Sequence, residues 1–352
     1  MFRMAAIKQI CIVIGVLFFF CIIYMIITSP GSIPDDTKFE TGTLSDTTDM
    51  KIKDSKPNTQ QNLNVRKIER RNICVWSHDL LGVWHPRMDI CKSVHKDTVT
   101  TLVTPFGNLP IHVHDPQKDI WVSRRIINTG SFDKDKILTI SKFMESDPTL
   151  NFIDIGANLG TYSLSFAKLG RKVIAIDALN LNVQKLCASV NQSHFEDVYL
   201  IMNAVSSRHE TVSLGADDKN FGGTFIDQNA DYIKSVKGKT VSGRHYSNIS
   251  TIVLDDLLTL PFINLFPRVF IKMDIEGFEH KALERAYQFF DKIFVQGIQI
   301  EWIFHRNKSS GQIIVNFLEQ HSFIPYNPKD LRQLRKSSMG NWPTQDVIWL
   351  RK

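Results

Sequence analysis

This chain has few cysteines and only a small excess of charge of one sign. Five cysteines among 352 residues are too few for a small scaffold held together by disulfides. The formal net charge is only +6, and the basic residues are spread along the chain, so we do not expect a nucleic-acid partner. Hydrophobic residues make up 43% and charged residues 22%, a globular composition that excludes disorder over the whole length.

Long apolar runs are missing apart from one near the N-terminus. Ile10 to Ile27 carries no charged residue, and as a helix it would be about 27 Å long, which suits the ER membrane. Its length and the lack of a clear cleavage site favour an uncleaved signal-anchor over a cleaved signal peptide. Arg3 and Lys8 precede the run, and Asp35 and Asp36 follow it. This bias predicts a single-pass type II membrane protein of the secretory pathway, with the Golgi as the expected compartment and the C-terminal part in the lumen.

Changes in composition divide the chain into five parts. Residues 1–9 form a short cytoplasmic tail and residues 10–27 the transmembrane signal-anchor. Residues 28–71 contain few large apolar side chains and predict a flexible stem. Residues 72–134 predict short strands and turns, that is, a small β-rich extension. Residues 135–352 form the main domain.

The remaining cysteines fit an oxidising compartment. Cys74 and Cys91 are the only pair in the early part beyond the stem, and a bridge between them is plausible there. Cys187 shares a helical face with apolar residues and is interpreted as a small core residue. Three N-x-S/T sequons are consistent with a lumenal domain; they lie at Asn191, Asn248 and Asn307.

Strand-like and helical stretches alternate from Asn151 onward. The strand-like stretches are NFIDIG, RKVIAID, VYLIMNAV, VFIKMD, IFVQGIQIE and the final VIWL. The helical stretches are GTYSLSFAKLG, LNVQKLCASVN and EGFEHKALERAYQFF. This alternation predicts an α/β fold with a mostly parallel sheet and helices on both faces. Ligands of such sheets bind beyond the carboxyl ends of the strands, so those ends are where a site is expected.

The first two strand ends carry the residues of a nucleoside site. The first runs into D-I-G-A-N-L-G, which contains Asp154, Gly156, Asn158 and Gly160. Glycines let the backbone approach a ligand, and Asp177 at the second strand end can accept both hydroxyls of a ribose. A dinucleotide fingerprint would need glycine where Asn158 and Thr161 stand. This argues against an NAD-dependent oxidoreductase or epimerase.

Six segments in order make the chain resemble the FkbM family of methyltransferases. They are FIDIGANLGTYSL, VIAID, IMNAVSS, NFGGTF, VLDDLL and FIKMDIEGFEHKAL, all between Asn151 and Glu301. The most family-specific piece is K-x-D-x-E-G-x-E, which begins at Lys272. The family commonly has Glu-Pro where this chain has Asp177-Ala178. The resemblance implies a Rossmann-like class I fold that uses S-adenosylmethionine (SAM), here preceded by one transmembrane helix.

The resemblance also implies residue roles. Asp154, Gly156, Asn158 and Gly160 would cradle the methionine end of SAM, Asp177 would bind the ribose, and Asn203 would lie beside the adenine. Asp274 and Glu276 would lie near the transferred methyl group. Family members are known as O-methyltransferases of natural-product and sugar hydroxyls, so the expected acceptor is a hydroxyl on a glycan or a small molecule.

Three residues are candidates for a catalytic base. An alcohol is a poor nucleophile until its proton begins to leave, and Asp274, Glu301 and His305 lie at or just after the fourth and fifth strand ends. Each also has a structural interpretation, in which Asp274, for example, only positions SAM. Carboxylates at adjacent strand ends could hold Mg²⁺, but no metal is expected. A binding protein on a decayed methyltransferase fold is the alternative to an enzyme.

Overall fold

A computed structural model describes residues 74–92, 98–217, 220–226 and 244–352. The predicted cytoplasmic tail, signal-anchor and stem lie outside these residues. Within them, no helix is both long enough and apolar enough to cross a membrane.

The described residues form strands and helices in alternation. The strands are β1 (Val75–His78), β2 (Trp84–Arg87), β3 (Thr98–Thr104), β4 (Gly107–Val113), β5 (Asn151–Ile155), β6 (Val173–Asp177), β7 (Val198–Met202), β8 (Ala204–Val205), β9 (Thr211–Asp217), β10 (Asn220–Ile226), β11 (Arg244–Ile252), β12 (Arg268–Met273), β13 (Phe294–Glu301), β14 (Phe323–Tyr326) and β15 (Asp346–Arg351). The helices are α1 (Ser123–Thr129), α2 (Lys134–Ser146), α3 (Thr161–Lys168), α4 (Asn180–Gln192), α5 (Glu279–Leu283), α6 (Tyr287–Lys292) and α7 (Ser309–Gln320).

One nine-stranded sheet organises the fold, in the order β14-β15-β13-β12-β5-β6-β7-β1-β2. The strands from β13 to β1 in this order run parallel, while β15, β14 and β2 are antiparallel to their neighbours. Every residue of β6 is buried, as expected for a strand covered on both faces. The mostly parallel α/β sheet predicted from the sequence is confirmed.

Alternate residues of the central strands serve two separate core layers. Ile153 and Ile155 of β5 pack in one apolar cluster, while Phe152 packs in the other. This follows from the strand geometry, because successive side chains point to opposite faces of a sheet. A smaller sheet, in the order β10-β9-β11-β8, and the hairpin β3–β4 complete the described strands.

The segment predicted as a β-rich extension contributes to the main sheet. Strand β1 pairs in parallel with β7, and β2 pairs with β1. The same segment also contains helix α1, where the sequence predicted only strands and turns. Part of the extension therefore belongs to the main sheet.

Two predicted elements are interrupted in the structure. The third strand breaks at Asn203, whose amide bonds the backbone of His78 and Ser250. The helix predicted over EGFEHKALERAYQFF is two short helices, α5 and α6. The carboxylate of Asp255 accepts a hydrogen bond from the Phe289 backbone N–H at 2.8 Å, which helps satisfy the start of a second helix.

The disulfide predicted between Cys74 and Cys91 is wrong. Cys91 is bonded to Cys187, and Cys74 is a free thiol. Cys74 directly precedes β1 and stays at the sheet, whereas the turn that carries Cys91 packs on α4. Cys187 is fully buried in the core, as predicted, but it also forms a covalent bond from α4 to the extension.

Removing this bridge is expected to destabilise the fold. The Cys91→Ala variant frees a crosslink between residues 96 apart in sequence, so its free energy of unfolding falls by about 3–4 kcal/mol through the gain of unfolded-state entropy. The matched Cys74→Ala variant changes it by less than about 0.5 kcal/mol. Urea unfolding measures both. A peptide linking Cys74 to Cys91 in a non-reducing digest contradicts the assignment.

Candidate functional site

A cavity of about 480 Å³ lies at the carboxyl edge of the parallel strands. Its volume falls in the range of small-molecule sites. Seven of the ten predicted site residues line it, namely Gly156, Asn158, Asp177, Asn203, Asp274, Glu276 and Glu301. They lie at or just after the ends of β5, β6, β7, β12 and β13, so the strand-end argument brings residues from five strands together. Asp154, Gly160 and His305 are not among the lining residues.

Gly156 holds the loop after β5 against the loop after β12. Its φ of +80° suits glycine, and a Cβ there would come within 1.9 Å of the Asp274 carbonyl oxygen. The ammonium group of Lys272 donates a hydrogen bond to the Gly156 carbonyl at 2.6 Å. Backbone packing of this closeness admits only glycine, which explains the first glycine of the motif.

Asp177 joins the glycine loop to the end of β6. One carboxylate oxygen accepts the backbone N–H of Asn158 at 2.7 Å. The other accepts the Leu179 backbone N–H at 2.8 Å and the Asn182 amide at 3.2 Å. Burial raises the pKa of Asp177, although these donors act in the opposite direction. A carboxylate has about four acceptor positions, so one remains for a ligand hydroxyl.

Asp154 and Gly160 support the loop from behind the cavity. Asp154 is fully buried and accepts hydrogen bonds from the Ser163 hydroxyl at 2.6 Å and the Ser163 N–H at 3.2 Å. This fixes the first turn of α3. A Cβ on Gly160 would lie 2.2 Å from Leu186 of α4. Both residues therefore position the loop, whereas the sequence predicted direct contacts with the cofactor.

Lys272 is a buried cation between two carboxylates. Its ammonium nitrogen lies 3.5 Å from Asp154 and 3.8 Å from Asp274. Burial disfavours the charged form, but the carboxylates of Asp274 and Asp154 outweigh this and raise the pKa of Lys272. The lysine thus stays charged and keeps a positive charge at the wall of the cavity, which it lines.

Glu301 is a lining carboxyl group whose pKa is altered by its surroundings. Burial raises the pKa of Glu301 well above its usual range, and the negative charges of Asp274 and Glu276 add to the effect. Its Oε2 atom is buried and has no hydrogen-bond partner among the described residues. Carboxylate oxygens of Asp274, Glu279 and Glu301 lie within 4.8 Å of one another. The absence of a metal at this site stays a prediction.

His305, which the sequence predicted as a candidate catalytic base, lies in the protein interior. It is fully buried; its Nε2 lies 2.8 Å from a Glu279 oxygen and its Nδ1 2.9 Å from the Ser310 hydroxyl. The second oxygen of Glu279 accepts the Ile275 N–H at 2.8 Å. This pair supports the turn that carries Asp274 and Glu276.

Asn203 lines the cavity with its amide already engaged. Its Oδ1 accepts the His78 N–H at 2.8 Å, and its amide hydrogens go to the carbonyls of His78 and Ser250 at 2.9 and 3.0 Å. The predicted place beside an adenine stays a prediction; these three bonds hold strands β1 and β11 to the cleft.

The extension supplies lining residues that sequence reasoning missed. Trp121, Arg125 and Phe132 all lie between the hairpin β3–β4 and helix α2, and they line the cavity. Trp121 is 52% exposed. These residues lie outside the motif-bearing part of the sequence, and no spacing within 72–134 relates them to it.

Comparison with known proteins shows what the domain is similar to. The family model described as the methyltransferase FkbM domain matches residues 154–325, which confirms the resemblance and supports SAM as the cofactor. No curated protein matches the chain.

Solved structures similar to the chain share little sequence with it. A precorrin-6y C5,15-methyltransferase from Geobacter metallireducens is 13% identical (62% of this chain, 87% of that one, TM-score 0.32). A TehB-like SAM-dependent methyltransferase from Corynebacterium glutamicum is 9% identical (65% and 94%, TM-score 0.34). M. jannaschii TYW2, described in complex with AdoMet, is 13% identical (74% and 89%, TM-score 0.32). TM-scores this low do not establish the fold, which rests on the sheet order and the family match.

Two glycines with similar backbone angles are expected to respond differently to alanine. Gly170 has φ +83° with nothing within 4 Å of an added Cβ, so Gly170→Ala pays only the conformational cost of about 1–2 kcal/mol. Gly156→Ala also drives a Cβ into the Asp274 backbone, and we expect a loss above about 3 kcal/mol. Urea unfolding compares the two variants. Equal losses of stability would show that the loop of Gly156 is not packed tightly against the Asp274 backbone.

Proposed function

We propose that this chain, which carries an FkbM methyltransferase domain at residues 154–325, is a membrane-anchored O-methyltransferase of the secretory pathway. Its acceptor is a hydroxyl group of a neutral glycan or of a related small molecule. The observation that carries the proposal is the cavity in which a carboxyl of raised pKa, Glu301, lies beside the glycine loop and the ribose-type acid Asp177.

The cavity residues fit SAM as a bound cofactor. Gly156 and Asn158 would hold its amino-acid end and Asp177 its ribose. Two buried oxygens of lining residues, Asn158 Oδ1 and Glu301 Oε2, lack hydrogen-bond partners among the described residues, and such atoms call for a ligand. When bound, SAM supplies an activated methyl group, so the protein chiefly aligns the acceptor and excludes water.

Glu301 is the proposed general base, and Asp274 a fixed negative charge beside it. Lys272 lies 3.8 Å from Asp274 and favours its ionised form. Glu301 forms no ion pair within the part of the chain that the structure describes, and burial raises its pKa, which makes its carboxylate a better proton acceptor than an ordinary one. It would take the hydroxyl proton as the acceptor oxygen reacts. Two carboxyls with different surroundings thus take two roles.

The charges of the cavity favour a neutral acceptor. Five acids line the cavity against three cations, namely Asp133, Asp177, Asp274, Glu276 and Glu301 against Arg125, Lys136 and Lys272. This excess of acids disfavours an acceptor that carries a phosphate or sulfate group. Trp121, half exposed at the cavity, offers an aromatic face of the kind that packs on apolar ligand surfaces. A neutral sugar has hydroxyls for the base and a ring for this face.

Two structural features support the lumenal location. A structural disulfide, here Cys91–Cys187, is typical of oxidising compartments. The asparagines of all three sequons, Asn191, Asn248 and Asn307, are exposed, as glycosylation requires. Together with the apolar run at 10–27, they favour type II topology.

Methyl transfer from labelled SAM tests the catalytic proposal. We expect transfer to neutral glycans and not to sulfated ones, with a rate that rises with pH, because Glu301 must lose its proton to act as a base. This rise lies above the usual glutamate range, since burial raises the pKa of Glu301. The Glu301→Gln variant is expected to lower kcat by about 100-fold or more and to remove the rise.

The control for this assay is Glu196→Gln, which changes an exposed glutamate and should leave the profile intact. If Glu301→Gln keeps both the rate and the pH profile, Glu301 is not the base. If the folded protein binds SAM but transfers no methyl to any hydroxyl acceptor, the binding-protein alternative is favoured.

Topology is tested in sealed microsomes that contain the full chain. We expect the domain to resist added protease, and its mass to fall on treatment with an N-glycosidase, because exposed sequons in the lumen are modified. Replacing all three sequon asparagines with glutamine should abolish the mass change. Digestion of the domain without membrane disruption would place it in the cytosol and remove the basis for a glycan acceptor.

A further inference from the structure

Two histidines and an aspartate from separate segments meet beside strand β1. His78 is the last residue of β1, His209 lies between β8 and β9, and Asp256 lies in a short 3-10 turn at Leu254–Thr259. One possible ligand atom from each lies within 4.8 Å of the others. None of the three lines the cofactor cavity.

The distances suit a small cation after slight side-chain adjustment. His209 Nε2 lies 2.7 Å from an Asp256 oxygen, and the ring centroids of His78 and His209 are 5.4 Å apart. Ligand atoms on a tetrahedral zinc ion, with bonds of about 2.0–2.1 Å, are about 3.3 Å from one another. A cation between the three groups would need the atoms to move by about an ångström at most.

The buried member of the cluster has an unsatisfied polar atom. His78 is 3% exposed, and its Nδ1 has no hydrogen-bond partner among the described residues. Its ring packs on that of Trp84 in a T-shaped arrangement, with the ring centroids 4.7 Å apart. A core histidine without a ligand usually forms such hydrogen bonds. His209 and Asp256 have side chains that are 36% and 16% exposed, so water reaches the other side of the cluster.

We propose that His78, His209 and Asp256 bind a divalent cation of the zinc type, with water as the fourth ligand. Imidazole nitrogens favour zinc and its transition-metal neighbours, whereas Mg²⁺ and Ca²⁺ prefer sites made of oxygen alone. Two imidazoles and one carboxylate are a common set of protein ligands for zinc.

The cation would link three segments of the chain at the edge of the cleft. His78 is also the residue whose backbone N–H and C=O hold the Asn203 amide, and Asn203 lines the cavity. A metal on the His78 ring would therefore fix β1, the loop before β9 and the turn before β12 together. Its role is structural and does not depend on the methyl-transfer proposal.

Zinc titration into the full chain, first stripped of metal with a chelator, tests this site. We expect one zinc per chain by calorimetry and, at about 100-fold excess over Kd, a rise in melting temperature of about 5–10 °C. His209→Ala should weaken binding by more than about tenfold, since even changes beyond the ligands cost 10–100-fold. His209 lies on an exposed loop, so this variant should fold.

The matched control is His85→Ala, which removes an exposed histidine of the neighbouring strand β2 that is paired with Asp79. It should bind zinc like the unchanged chain. The visible absorption of bound Co²⁺ should report four-coordinate geometry, and Asp256→Asn should alter it. The proposal is overturned if the full chain binds no zinc, if His209→Ala binds it as tightly as the control, or if only Glu301→Gln abolishes binding.

Discussion

The buried ammonium group of Lys272 is the interaction on which the site depends. It bonds the Gly156 carbonyl at 2.6 Å and lies 3.5 Å from Asp154 and 3.8 Å from Asp274. A buried charge is tolerated only when it is paired and hydrogen-bonded, so the lysine requires these groups as much as they require it. The result is that the ends of β5 and β12, together with the glycine loop, are fixed in one arrangement. The K-x-D spacing thus has a structural cause, because it places the Asp274 carboxylate, just after β12, beside the ammonium group of Lys272 in that strand.

The same cation separates the behaviour of two neighbouring acids. Asp274 lies within reach of Lys272, whereas Glu301, one strand further along the sheet, is buried among other carboxyls, which raises its pKa. Glu279 is withdrawn from the cleft by its pairing with His305. The acid-rich edge therefore contains one carboxylate beside a cation, one carboxyl whose pKa is raised, and one that supports the backbone. This difference in surroundings, rather than the number of acids, makes a general base plausible in the proposed reaction.

Much of the site could be predicted because the ends of parallel strands meet at one edge of a sheet. Strand periodicity and strand order brought Gly156, Asp177, Asp274 and Glu301 to the same cavity. Periodicity does not give the groups that a side chain contacts, so Asp154 and His305 were predicted at the cavity and lie behind it, bonded to Ser163 and Glu279 respectively. Contacts distant in sequence were also missed: the Cys91–Cys187 bridge, the pairing of β1 with β7, and the hydrogen bond from Phe289 to Asp255 at the start of the second half of the broken helix. Each of these depends on a partner far along the chain, which no local pattern contains.

Calorimetric titration of SAM into the full chain tests the central claim that this cavity is a SAM site. The account predicts one SAM per chain, no binding of NAD, and affinity weakened by about 10–100-fold in Asp177→Asn, since a hydrogen bond to a charged group contributes about 1.5–3 kcal/mol. Circular dichroism should show that the variant is folded. A folded chain that binds no SAM, or that binds NAD in its place, would contradict the account.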